Sequence, residues 1–322
     1  SALASFYAEK IGLDHVLKKM NSKDAVELIE DLSKAITEPF ADISIIPTFL
    51  ASKISKKYFT VALSGDGGDE LFFGYERFWS IAKNIKLQKY PFIVKYFIYG
   101  LDKILTNNKN FNSACLSKSI SNSHFYLHSR FDIKLMNLIF PELKKVKKPI
   151  SNRIYDYPET RHENELIQFI RNAEFYGMMQ KTLKKIDMAS MAHSLEVRVP
   201  FLQKRIIEDS LNIDPYLNYG PNKGRVSNKK VLLKKLLKQK IPNSHINNIK
   251  KGFSIPLTKW IQNDLYKPIS EVLLDKRSCE DFAVDLKQVE IMLNDHRLGK
   301  NDFKWPIFTL FSLFIWRKNS LS

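Results

Sequence analysis

The 322-residue sequence predicts an α/β front, residues 1–77, followed by a mainly helical remainder, residues 78–322. Three observations lead there. Apolar residues recur three and four apart over 21–36, which is the spacing of an amphipathic helix, and a second helix is read over 45–57. A β-branched and aromatic run at 58–63, YFTVAL, then enters the glycine-rich turn SGDGGDE at 64–70. From Arg77 onward the apolar spacing stays helical. A strand, a tight glycine turn and a helix form the α/β pattern, whose ligands sit at the carboxyl end of the strand.

Taken in order, the first strong helix reads NSKDAVELIEDLSKAI, with Asn21 or Ser22 as its cap and Ala25, Leu28, Ile29, Leu32 and Ile36 on one stripe. It must stop by Glu38, because the residue before Pro39 is pushed out of helical conformation. A helix over 45–57 delivers the chain to the strand. Residues 107–123 are rich in Asn, Ser and Lys and read as an exposed loop. A long helix comes next over 163–192, with Leu166, Ile170 and Ala173 on its apolar face. Pro215, Gly220, Pro221 and Gly224 mark a second loop, before a Lys-coated helix VLLKKLLKQ and a C-terminal helix ending near Trp316.

Composition narrows the classes. The run IFTLFSLFIW is far shorter than the ~20 apolar residues of a spanning helix. No charged, apolar and small-residue leader follows Ser1. Cys115 and Cys279 lack metal-ligand spacing, so a reducing, cytoplasmic location is expected. The net charge of +17 would suit an acidic partner, yet the basic residues are spread along the chain, as a solvated surface would have them. The aromatics Phe169, Phe175, Tyr176, Phe308, Phe311 and Phe314 fall in apolar helices and read as core, which argues against a base-stacking surface.

The turn carries the chemistry. Gly65, Gly67 and Gly68 allow positive φ and close approach of a ligand to the backbone. Successive amides there form an anion cradle at a helix start. Asp66 and Asp69 beside such amides point to a polyphosphate bound with a hard cation, since Mg²⁺ takes one or two carboxylates plus phosphate oxygens, or else to a site for a cationic or amine-bearing substrate. The same acids would also serve as helix-start residues, with no ligand at all.

The stretch VALSGDGGDELFFGYERF resembles the second nucleotide-site motif of the glutamine-dependent asparagine synthetases. KKIDMASMAHSLEVRVPFL, at 184–202, and IKKGFSIPLTKW, at 249–260, are similar to two further motifs of that family, in the same order. EPFADISIIP and the His296 to Gly299 element also fit, so the resemblance covers the whole chain. It implies a Rossmann-like ATP-pyrophosphatase domain of the adenine nucleotide alpha hydrolase-like class, one synthetase domain over 1–322, with the nucleotide site in 1–77.

By the same resemblance, the activity would be ATP- and Mg²⁺-dependent amidation of aspartate through a β-aspartyl-AMP intermediate. Ammonia would come from glutamine hydrolysed in an N-terminal glutaminase domain. By position, Ser64, Gly65 and Gly67 would line the ATP site, Asp66 would serve adenylation, and Asp69 would face Mg²⁺ and pyrophosphate. Lys250 would neutralise phosphate charge. Asp187 and Ser190 would shape the acceptor pocket. Glu196 with Arg198 reads as a buried ion pair, His193 as a satisfied structural histidine, and His15 as without chemistry. No nucleic-acid or membrane partner is expected, and a homodimer is compatible.

The chain also departs from the family pattern. The first nucleotide motif, SGGxDSS, is absent from the sequence and would lie upstream of Ser1, so the domain is expected to be truncated there and inactive alone. Gln203 stands where the family has Asp, Asn248 where it has Arg, and Phe73 where it has Gly. These changes leave open a related amidotransferase acting on another carboxylate, such as a sugar acid, or a basic domain without catalysis.

Overall fold

A computed structural model describes residues 2–75, 77–83, 90–105, 119–129, 131–145, 150–160, 162–218, 229–241 and 255–320. Helices α1 (Ala2–Lys10), α2 (Ser22–Ala35) and α3 (Ile45–Ser55) precede strand β1 (Val61–Leu63). The middle holds α4 (Gly68–Leu71), α5 (Arg77–Lys83), α6 (Phe92–Leu105), α7 (Ile120–His128) and α8 (Ile133–Ile139). Next come α9 (Glu163–Ala173), a π-helical turn (Glu174–Met178) and α10 (Met179–Met191), which form one continuous rod. Strand β2 (Glu196–Arg198) leads to α11 (Lys204–Asn212), α12 (Pro215–Asn218) and α13 (Val231–Leu237). The chain ends with α14 (Leu257–Gln262), α15 (Tyr266–Leu273), α16 (Lys276–Asp281), α17 (Leu286–Arg297) and α18 (Lys304–Ser320).

The fold is mostly helical. Among the described residues the sheet has two strands, one parallel pair of β1 beside β2, in place of the expected Rossmann-like sheet. β1 is also shorter than the predicted 58–63. The amides of Tyr58 and Phe59 donate to Ser55 O, closing the end of α3, so pairing starts only where Glu196 N donates to Thr60 O. Backbone groups committed to a helix terminus are lost to the strand ladder.

α2 begins as its sequence dictates. Asn21 Oδ1 accepts from Asp24 N at 2.9 Å while Asp24 Oδ2 accepts from Asn21 N at 2.8 Å, a reciprocal capping box. Ala25, Leu28, Leu32 and Ile36 are buried, and Ile29 packs at the margin of the same cluster. Asn21→Ala is expected to lower stability by about 1 kcal/mol, read as a lower urea midpoint. An unchanged midpoint would show that the cap contributes nothing.

The main core gathers α2, α3, α14, α15, α17 and α18, with Met188 and Ala189 of α10 reaching into it. Ser312 pins the EPF segment there. Its hydroxyl accepts from Phe40 N and donates to Phe40 O, both at 2.7 Å. A second cluster holds Phe73, Phe78, Ile81, Ile120, Leu166 and Ile170. Arg171 is fully buried beside it and donates to Ser210 O at 2.7 Å and to Ile213 O at 3.4 Å, closing the C-terminus of α11. Burial pulls its pKa down to about 10, which leaves it charged at neutral pH.

Several expectations are corrected. Helix α7 starts at Ile120, inside the stretch read as loop. Phe308, Phe311 and Phe314 are core, but Tyr176 is exposed, because the π-helical turn rotates it away from the apolar face. Glu196 and Arg198 do pair, at 2.8 Å, but on the surface rather than in the interior. Alternate residues of a strand share a face, and this face of β2 meets solvent. His193 packs edge-on to Phe49 at 4.3 Å, and its Nε2 has no hydrogen-bond partner among the described residues, so it is not satisfied at that atom. Burial lowers its pKa.

Candidate functional site

Parallel pairing of β1 with β2 places Val61 beside Glu196, Ala62 beside Val197 and Leu63 beside Arg198. Ser64 N extends the ladder by donating to Arg198 O at 2.8 Å. The pairing therefore lays the RVPFL stretch directly against the glycine-acid turn. Gly67 adopts φ 87° and starts α4. A Cβ there would meet Leu202 Cδ2 at 3.1 Å and Phe201 Cβ at 3.2 Å. Both conformation and space demand glycine at this position. Of the three turn glycines only Gly67 takes positive φ, contrary to the expectation for Gly65 and Gly68. Gly65 opens onto free space, and Gly68 is small because Phe201 Cε2 lies 3.3 Å from its would-be Cβ.

Within the turn, the Ser64 hydroxyl donates to Asp66 Oδ2, while Asp66 N donates to Ser64 Oγ at 3.3 Å. Asp69 forms an ion pair with Lys230 at 2.9 Å, and its carbonyl accepts from Gly74 N at 2.8 Å. Lys230 takes φ 53° at the start of α13. In the sequence it reads only as part of a Lys-coated surface. No local signal singles it out, because its partner lies in a different part of the chain. Lys250 lies outside the described residues.

Gly74 holds this pair together. A Cβ at that position would run into Asp69 Oδ1 and Lys230 Cε. Gly74→Ala is expected to push the pair apart and raise acetylation of Lys230 by a lysine reagent, mapped by mass spectrometry. Unchanged labelling would show that the pair accommodates the methyl group. Phe73 occupies the preceding position at φ 54° with its ring buried. The ring packs edge-on to Phe78 at 5.1 Å, with the Arg171 guanidinium 5.1 Å from its centre. The left-handed conformation expected of a glycine is thus kept by a phenylalanine, its strain of about 1–2 kcal/mol offset by burial of the ring.

Behind the turn lies a buried polar relay. The Tyr75 hydroxyl donates to Glu70 Oε1, and the Arg77 guanidinium stacks 3.6 Å from the Tyr75 ring. Arg77 in turn engages both carboxylate oxygens of Glu174. His124 Nε2 and His128 Nε2 approach Glu174 Oε1 at 2.8 and 2.7 Å. Burial raises the pKa of Glu70. Burial would also raise that of Glu174, but hydrogen bonds from His124, His128 and Arg77 outweigh it and hold the carboxyl well below its usual value. Burial pushes His124 down to about 4, so it stays neutral.

His124, His128 and Glu174 bring three metal-ligand atoms within 4.8 Å of one another. With Arg77 on the same carboxylate, the arrangement is a hydrogen-bonded hub complete without an ion. The turn is different. Asp69 is partly exposed and already draws one cation, Lys230, and a carboxylate of this kind beside phosphate oxygens fits the donor set of Mg²⁺.

Asp187 is exposed and lines a different cleft, formed with Glu38, Phe40, Lys181 and Lys184. Ser190, one turn further along α10, is buried. Gln203 starts α11 without a side-chain cap, where an Asp would have served.

The asparagine synthase family model matches residues 1–318. The glutamine-hydrolysing asparagine synthetase 1 of Bacillus subtilis strain 168 is 24% identical over 317 residues, covering 96% of this chain and 48% of its own length. A putative glutamine-hydrolysing asparagine synthetase 2 of Methanocaldococcus jannaschii is 51% identical over 53 residues, 16% of this chain and 10% of that protein. The amidase chry2 of Gibberella zeae is 24% identical over 307 residues, 88% of this chain and 45% of that protein. The chain spans about half the length of the curated relatives that it matches end to end. The glycine-acid turn, the RVPFL stretch packed upon it and the match over 1–318 agree: the chain belongs to the asparagine synthase family.

Proposed function

We propose that the complete protein is an ATP-dependent ligase that joins ammonia to a carboxylate by way of an acyl-adenylate. The observation that carries the reading is the pair of acids in the turn after β1, Asp66 hydrogen-bonded to Ser64 and Asp69 ion-paired with Lys230, beside Gly65, whose backbone a ligand can approach. Backbone amides of the turn bind phosphate oxygens. Asp69, with Asp66 nearby in sequence, would hold Mg²⁺, and the ion would supply neutralisation of phosphate charge there. Lys230, already at the turn, supplies a fixed positive charge to the same phosphates, and Lys250 is assigned the same task by its motif.

The acceptor is proposed to be aspartate, with Asp187 and Ser190 shaping its pocket, and ammonia arriving from glutamine through an N-terminal glutaminase domain. A cytoplasmic homodimer is the assembly that fits this reading. A second reading keeps the scaffold and changes the acid. One observation favours it: Phe73 fills the family's glycine position beside the turn.

The test supplies the full-length protein with Mg·ATP, ammonium and a panel of carboxylic acids, and measures pyrophosphate and AMP. Release that depends on aspartate supports the first reading, and release with a sugar acid supports the second. No release with any acid removes the ligase assignment.

A further inference from the structure

Helix α4 is a single turn of four residues, Gly68–Leu71, and it carries Asp69. A turn that short does not hold its own geometry, because its nucleus fixes several dihedrals for one hydrogen bond. Contacts from outside must therefore aim the Asp69 carboxylate. Phe201 and Leu202 wall one side, at Gly67 and Gly68. On the other side stands the next residue, Glu70, which is only 2% exposed and so lies in the interior, away from a ligand. The Tyr75 hydroxyl donates to Glu70 Oε1, and Gly74 N donates to Asp69 O at 2.8 Å, so the 69–75 loop is closed twice. The Tyr75 ring is steadied in turn by the Arg77 guanidinium, 3.6 Å from its centre, and Arg77 is fixed on Glu174.

We propose that Tyr75 and Glu70 are positioning residues whose hydrogen bond sets the Asp69 carboxylate for the phosphate-bound metal of the ligase reaction. The purpose of that placement rests on the ligase reading; the placement itself does not. Without the hydroxyl, the buried Glu70 carboxylate loses a donor and is drawn toward water. Its backbone adjoins that of Asp69, so α4 turns with it and the Asp69–Lys230 pair, 2.9 Å apart, opens. An amide oxygen accepts the same hydrogen bond as a carboxylate. Glu70→Gln therefore keeps the clamp, whereas Tyr75→Phe and Glu70→Leu break it. If Glu70 acted by its charge on a ligand, Glu70→Gln would be as damaging as Glu70→Leu.

The test uses the complete protein and two measurements. With no ligand present, acetylation of Lys230 by a lysine reagent is mapped by mass spectrometry. It is expected to rise at least about threefold in Tyr75→Phe and Glu70→Leu, and to stay within about twofold of wild type in Glu70→Gln. With Mg·ATP, ammonium and the acid that the wild type uses, Tyr75→Phe is expected to lose about tenfold in kcat and to need more Mg²⁺ for half-saturation, with the KM for ATP little changed. Phenylalanine keeps the ring on which Arg77 stacks, so circular dichroism should show this variant folded. Wild-type labelling in folded Tyr75→Phe, or Glu70→Gln as reactive as Glu70→Leu, would overturn the proposal. So would altered labelling with wild-type kcat and Mg²⁺ dependence, which would leave a clamp of structure alone. No pyrophosphate release by the wild type with any acid would remove the ligase reading and the purpose assigned to the clamp, while the labelling would still decide its geometry.

Discussion

Asp69→Ala in the full-length protein is expected to reduce pyrophosphate release by at least about a hundredfold while leaving the fold in place. The two halves of that expectation have separate grounds. Asp69 is partly exposed and its ion pair with Lys230 lies at the edge of the turn, so its loss costs stability about 1 kcal/mol or less. Catalysis is affected far more, because the carboxylate is the group that would hold the metal against the leaving phosphates. The variant also leaves Lys230 without its carboxylate partner, so phosphate binding persists and the defect falls on kcat more than on the KM for ATP. Near-wild-type kcat in a folded Asp69→Ala protein would remove Asp69 from the metal site.

Glu174→Leu is expected to be the most destabilising single change, by about 3–5 kcal/mol, because it strands Arg77 in a buried setting. The side chain of Glu174 is fully buried, that of Arg77 is 21% exposed, and His124 and His128 lose their acceptor as well. The hub also sets a pH dependence with a definite sign. His124 is held near pKa 4 when folded and titrates near 6.5 when unfolded, so the unfolded chain binds the extra proton between those values. Stability from this group is complete above about pH 6.5 and falls as the pH drops to about 4, by roughly 3 kcal/mol. Glu174 acts in the same direction, since its lowered pKa means that stability present above about 4.5 is lost below it. Urea midpoints in the wild type should therefore stay level from pH 7.5 to about 6.5 and fall from there toward pH 4. A flat profile, or a Glu174→Leu midpoint equal to wild type, would show that the hub contributes no stability.

Local chemistry made much of the fold legible. Asn21 followed by Asp24 specified a capping box, and the stripe from Ala25 to Ile36 specified the buried face of α2. The glycine-acid turn was readable because its conformation is set within seven residues, and Gly67 is where the positive φ falls. The strand boundary was not readable, because whether Tyr58 and Phe59 pair as strand or close α3 depends on which carbonyls lie within reach. The exposed Glu196 and Arg198 pair shows the same limit: charge complementarity was evident, and depth was not.

By itself the sequence determined α2, α3, the long α9–α10 rod and the C-terminal helix, the glycine-acid turn and the family. These depend on contacts between residues a few positions apart and on the order of motifs along the chain. Only the tertiary structure decided that Lys230 faces Asp69, that Phe201 and Leu202 close over Gly67 and Gly68, and that Arg77, His124 and His128 converge on Glu174. The physical reason is distance along the chain. Glu174 lies 97 residues from Arg77 and 50 from His124, and no periodicity in the intervening sequence encodes which distant charges will share a buried carboxylate.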